Sequence, residues 1–98
     1  MREPILRKIQ AAVRVGTYEV TVPHFQEELI EDDLTLADAE TAILRGRINR
    51  TYSADPRGTR YRIVGPATDG RLVAVVVRIK PTGIPLLITV YVEAAEGA

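Results

Sequence analysis

The chain contains no cysteine among its 98 residues. That excludes a disulfide framework and a thiol nucleophile, and it suits a reducing cytoplasm. There is no tryptophan and one histidine, His24. A single imidazole without thiolates gives no basis for a zinc set within one chain, so neither metal nor cofactor is expected. Long apolar runs are missing too. No stretch approaches the ~20 residues that a bilayer helix needs, so no membrane association is expected. The N-terminus carries Arg2, Glu3, Arg7 and Lys8, with no uninterrupted apolar core and no cleavage site, which is not the pattern of a secretion signal. The resulting expectation is a cytoplasmic protein.

What is present is ordinary in amount and uneven in place. Charged residues make up 27% and apolar residues 46%, which argues against disorder. The length suits one domain, with a helical half over residues 1–46, a β-meander over 47–92 and a tail over 93–98. The net charge of zero conceals opposite halves. Residues 1–44 carry four basic and nine acidic side chains, whereas residues 45–98 carry nine basic and four acidic. Such asymmetry marks either a face for an anion or two halves that attract each other in the fold.

Ile5, Leu6, Ile9, Ala12 and Val13 recur at helical spacing, with Pro4 in the first turn and Gly16 as a stop. Tyr18, Val20 and Val22 alternate with Glu19 and Thr21, as in a short strand or extended linker. A second helix is predicted from Pro23 or His24, with Phe25, Leu29 and Ile30 as its apolar stripe. Acids at its far end oppose the helix dipole and predict an early turn. Thr35 and Asp38 resemble a capping box that opens a third helix through Leu36, Ala39, Ile43 and Leu44 to Gly46. Four strands follow, over 48–53, 60–65, 72–79 and 84–92, separated by Asp55-Pro56-Arg57-Gly58, Thr68-Asp69-Gly70 and Pro81-Thr82-Gly83. The predicted architecture is α+β, with two to three N-terminal helices on one face of a four-stranded antiparallel sheet.

Alternation sorts the strand side chains into two faces. In the first strand Ile48 and Tyr52 oppose Asn49 and Thr51; in the second, Tyr61 and Ile63 oppose Arg60, Arg62 and Val64. In the third, Val73, Val75, Val77 and Ile79 oppose Leu72, Ala74, Val76, Arg78 and Lys80. In the fourth, Ile84, Leu86, Ile88, Val90 and Val92 oppose Leu87, Thr89 and Tyr91. The aliphatic faces belong under the helices. The open face then collects Asn49, Thr51, Arg60, Arg62, Arg78, Thr89 and Tyr91. Guanidinium groups with neighbouring hydroxyls suit phosphate, although an ordinary solvated sheet face would carry the same residues.

Several short motifs occur in a recognisable order. They are Val15-Gly16-Thr17-Tyr18, Val20-Thr21-Val22-Pro23-His24, Leu34-Thr35-Leu36-Ala37-Asp38-Ala39-Glu40 and Leu44-Arg45-Gly46-Arg47-Ile48, then Ile63-Val64-Gly65, Asp69-Gly70-Arg71 and Leu87-Ile88-Thr89-Val90-Tyr91. In this order and spacing, from about Ile5 to Tyr91, the chain resembles the bacterial DUF4258 family. Such domains look like distant relatives of the RelE and BrnT toxins, small ribonucleases with helices on one side of a sheet and substrate on the opposite, basic face. The resemblance implies a RelE-like fold, a metal-independent endoribonuclease acting on RNA, and a DNA-binding antitoxin as partner. It leaves a homo-oligomer open. Members usually follow the helix histidine with arginines in a His-x-x-x-Arg-x-x-x-Arg pattern; here Glu28 and Asp32 stand there. Where members often have a third-strand histidine, this chain has Ala74.

Metal-free RNA cleavage needs a base for the 2′-hydroxyl, cations for the phosphorane and an acid for the leaving oxygen. Histidine titrates near neutrality, which makes His24 the candidate base or acid. Tyr91 is a candidate proton donor or stacking ring, and Arg78 a candidate catalytic cation. Arg60 and Arg62 are candidates for holding phosphate, and Thr89 and Asn49 for adding hydrogen bonds. Each has another reading. His24 can simply touch Glu27 or Glu28 at a helix start, and Arg60 and Arg62 can solubilise an edge. Arg78 interrupts an aliphatic strand and calls for a ligand or an acid such as Glu93. A non-catalytic protein-interaction module and a binder of a small anion therefore stand beside the ribonuclease.

Overall fold

The structure is a computed structural model, and it describes residues 3–93. Its elements are α1 (Glu3–Val15), β1 (Glu19–Val20), α2 (His24–Glu31), α3 (Leu36–Arg45), β2 (Arg47–Tyr52), β3 (Arg60–Pro66), β4 (Leu72–Ile79) and β5 (Pro85–Val92). α1 buries Ile9 and Val13, which lie four residues apart on one helix face. It stops at Gly16, whose φ of 76° lets Thr17 N donate to Ala12 O and Gly16 N to Val13 O. α3 opens on the reciprocal Thr35–Asp38 box expected from the sequence, with Asp in place of the commoner Glu.

The sheet differs from the expected four antiparallel strands. It has five strands in the order β1-β5-β4-β3-β2, and β1 runs parallel to β5. Glu19 and Val20 pair with Leu86 and Leu87, and Thr21 extends the contact through N–H to Leu87 O and Oγ1 to Ile88 O. A two-residue strand carries too little alternation to announce which edge it joins.

The three helices cover one face. Ile9 and Val13, Phe25 and Leu29, and Ala39, Ala42 and Ile43 meet Ile48, Ile63, Val73, Val75, Val77, Leu87 and Val90 in one core. α3 approaches β3 backbone to backbone at its C-terminal end. A Cβ on Gly65 would lie 2.1 Å from Ala42 O, and one on Gly46 would lie 2.6 Å from Val64 O.

Two bulges correct the alternation. Between β2 and β3 the register runs Ile48↔Ile63, then Arg50↔Arg62, Thr51↔Tyr61 and Tyr52↔Arg60. Arg50 and Tyr52 therefore belong to the open face, and Thr51 leaves it. Between β4 and β5, Val76 pairs with Thr89 but Val77 with Leu87, which leaves Ile88 as the extra residue. Leu87, expected on the open face, is fully buried in the core. Leu86, expected under the helices, lies opposite Arg78 on the open face, and Ile84 precedes the strand. One inserted residue reverses every side chain beyond it, and a single strand's sequence does not reveal the insertion. Of the expected tail, Glu93 continues the ladder through its N–H to Leu72 O, and residues 94–98 lie outside the described residues. Among the described residues no helix is long and apolar enough to cross a membrane.

Candidate functional site

Register sets the open face in rows across the strands. One row reads Tyr52, Arg60, Arg78, Leu86; the next reads Arg50, Arg62, Val76, Thr89; a third reads Arg47, Val64, Ala74, Tyr91. Arginine thus lies opposite arginine twice, at Arg60–Arg78 and Arg50–Arg62. Like charges in cross-strand positions repel, so each pair needs an anion or is destabilising.

The arginines differ in how far that need is met. Arg62 is only 13% exposed along its side chain. Its Nε donates to Tyr91 Oη at 2.8 Å, its Nη1 to Asn49 Oδ1 at 3.0 Å, and its Nη2 to Glu93 Oε2. Arg62 on β3 and Tyr91 on β5 meet over β4, with the guanidinium 5.6 Å from the ring centroid. Ala74 is consequently fully buried although it faces away from the helices. Its small methyl leaves room for that bridge. Arg60 lies 3.2 Å from Asp55 Oδ2, without the alignment of a hydrogen bond, and 5.1 Å from the Tyr52 ring centroid. The backbone N–H of Arg57 holds the Asp55 carboxyl below its usual range, helped by the Arg57 and Arg60 charges. Arg50 approaches the same ring at 5.7 Å. Neither Arg50 nor Arg78 has an acidic partner among the described residues. Glu93, considered from the sequence as a partner for Arg78, is paired with Arg62 instead. The Arg78 stem runs against the hairpin, so close that a Cβ on Gly58 would come within 3.3 Å of its Cδ.

His24 and Thr89 belong to a second cluster, at the edge of β5. β1 covers that edge only at Leu86 and Leu87. Beyond it, Glu28 Oε1 accepts from Val90 N at 3.1 Å and from Thr89 Oγ1, and Asp32 Oδ2 accepts from Val92 N at 2.7 Å. The geometry follows from two periodicities. Residues four apart on a helix rise about 6 Å, and residues two apart on a strand about 6.8 Å, so the two carboxylates meet two successive outward N–H groups. An arginine at either position would offer only donors to those N–H groups. His24 Nε2 lies 3.2 Å from the same Glu28 oxygen, and the imidazole side is 58% exposed. The carbonyls of Asp32 and Asp33, where α2 ends under its own acids, are bound by the Arg71 guanidinium at 3.0 and 2.9 Å.

The structure therefore gathers Asn49, Arg62 and Tyr91, sets Arg78 beside Arg60, and joins His24 to Thr89 through Glu28. No hydrogen bond or ion pair links His24 to Arg62, Arg78 or Tyr91. Sequence reasoning missed Arg50 and Tyr52, which the β2 bulge brings to the open face. It also missed the edge-capping work of Glu28 and Asp32, whose four-residue spacing was the available signal.

The family model for DUF4258, a domain of unknown function, matches residues 22–92. The chain belongs to the DUF4258 family. No curated protein and no solved structure matches it. The DUF4258 segment contains α2, α3 and β2–β5, hence the arginine rows and the α2 edge cap, whereas α1 and β1 lie ahead of it.

Proposed function

We propose that the open face of this DUF4258 chain binds the phosphodiester backbone of RNA, in the manner expected of a RelE- or BrnT-like toxin. One observation carries the reading: Arg78 lies in a cross-strand pair with Arg60 and has no carboxylate of its own among the described residues. A phosphate seated there relieves the repulsion and accepts from guanidinium forks suited to it. Arg50 adds a second uncompensated charge. The partner this reading expects is a small DNA-binding antitoxin, and the compartment is the cytoplasm.

Cleavage is the second component, favoured by the exposed imidazole that Glu28 orients. In that step His24 takes the proton of a 2′-hydroxyl. The 2′-oxygen bonds to phosphorus, and the 5′-oxygen leaves with a proton from Tyr91. The products are a 2′,3′-cyclic phosphate and a 5′-hydroxyl. Two assays separate the components. Fluorescence anisotropy with short single-stranded RNA should show binding that Arg78→Ala weakens by about tenfold, the loss of one charge-assisted contact. Incubation of RNA in chelator, followed by end analysis, should give cyclic phosphate from the wild-type chain and none from His24→Ala. Binding that depends on Arg78 without cleavage leaves an RNA-binding protein. Binding that ignores Arg78 removes the proposal.

A further inference from the structure

Where the β2–β3 hairpin leaves the sheet, Tyr52, Ser53, Ala54, Asp55, Pro56, Arg57 and Arg60 line an open cavity of about 690 Å³ that is broadly exposed to solvent. That is the size range of small-molecule sites. It opens beside the row Tyr52–Arg60–Arg78. Its wall is mixed: an aromatic ring, a proline and an alanine supply apolar surface, and Arg57, 74% exposed along its side chain, presents a guanidinium plane. Asp55 adds a carboxylate already fixed by the Arg57 N–H at 2.9 Å. This carboxylate disfavours a second anion inside the cavity. A phosphate is thereby directed to Arg78, outside it, while a flat neutral group with polar edges is accommodated within.

We infer that this cavity receives a nucleobase of the strand whose phosphates lie along the arginine row, stacked against Tyr52 and Arg57. The inference rests on the RNA reading above and adds where a base goes. Bases of unpaired RNA stack on aromatic rings and guanidinium planes, and such stacking is tolerant of sequence.

The test compares a short oligoribonucleotide with a sugar-phosphate strand of equal length that lacks bases, both titrated by fluorescence anisotropy against the full chain. The wild-type chain should bind the base-bearing strand about tenfold more tightly. Tyr52→Ala should remove most of that preference and leave the abasic strand within about twofold, whereas Tyr52→Phe should keep it. Arg57→Ala, at an exposed position where only the side-chain contact to Asp55 is lost, should erode the preference independently if Tyr52→Ala does not fold. Arg78→Ala should weaken both strands alike. Equal binding of both strands by the wild-type chain overturns the base site and leaves backbone binding intact, as does equal loss on both strands in folded Tyr52→Ala. Binding of neither strand by the wild-type chain overturns both readings.

Discussion

Asp38 is 4% exposed and nonetheless an anion with a full set of donors. The Thr68 hydroxyl and N–H bind Oδ1, while Thr35 N–H and hydroxyl bind Oδ2 at 2.9 and 3.1 Å. The Thr68 hydroxyl contributes most, and together these bonds outweigh burial and lower the carboxyl to about 2. A folded-state value below the ordinary one stabilises the fold above the unfolded pKa of about 3.9 and ceases to do so as pH falls towards 2. The shift corresponds to about 2 kcal/mol of stability, present at neutral pH and lost between about pH 4 and pH 2. Urea unfolding across that window should show the loss in the wild-type chain and a flatter acid limb in Asp38→Asn. The variant should also be less stable at pH 7, because the amide nitrogen cannot accept from two of the four donors.

At the scale of elements, the carboxylates of Glu28 in α2 and of Asp32 at its C-cap substitute for a missing neighbour strand along β5. Glu28→Ala strands the Val90 N–H and the Thr89 hydroxyl, which should cost about 1–3 kcal/mol. Amide exchange at Val90 should accelerate beyond the global change, and Glu28→Gln, which keeps one acceptor, should restore part of the protection. A second element contact fails in the opposite way. Gly65→Ala drives a methyl into the Ala42 carbonyl and should destabilise by about 1–3 kcal/mol through overpacking of α3 on β3. Chemical denaturation reads it directly.

These contacts also mark what the sequence made legible. Helix boundaries were readable because the Thr35 box, Gly16 and the recurrence of Ile9 and Val13 are local signals. The placement of Arg60, Arg62, Arg78 and Tyr91 on the open face was readable because no bulge intervenes between each of them and the nearest buried residue of its strand, Val90 in the case of Tyr91. Tyr52, Thr51, Leu86 and Leu87 were misassigned because a bulge is a property of two strands in register. β1 was ambiguous because its partner is some 67 residues away in the chain.

Over the whole molecule, the opposite charges of the two halves do not cancel across the interface between them. Lys80 with Glu19, at 2.8 Å, is the one Lys or Arg ion pair between them among the described residues. The other arginines that find acids find them within their own half, Arg57 and Arg60 at Asp55, Arg71 at Asp69 and Arg62 at Glu93. Glu28 and Asp32, which could have neutralised the sheet, are committed to backbone N–H groups at its edge. The positive charge therefore stays concentrated on the open face while the net charge is zero. If the open face binds RNA as proposed, overall charge has little to do with the affinity, and local counterion release should govern it. For single strands the logarithm of affinity falls by about 0.7 per unit of log salt for each phosphate neutralised. Contacts from Arg50, Arg60 and Arg78 thus give a slope near −2, and Arg78→Ala should reduce its magnitude by about 0.7. Anisotropy titrations at a series of potassium chloride concentrations measure both values. A slope near zero would mean that attraction comes from elsewhere than these arginines. A slope unchanged by Arg78→Ala would mean that Arg78 meets no phosphate, and that its repulsion with Arg60 is endured in the bound state as in the free one.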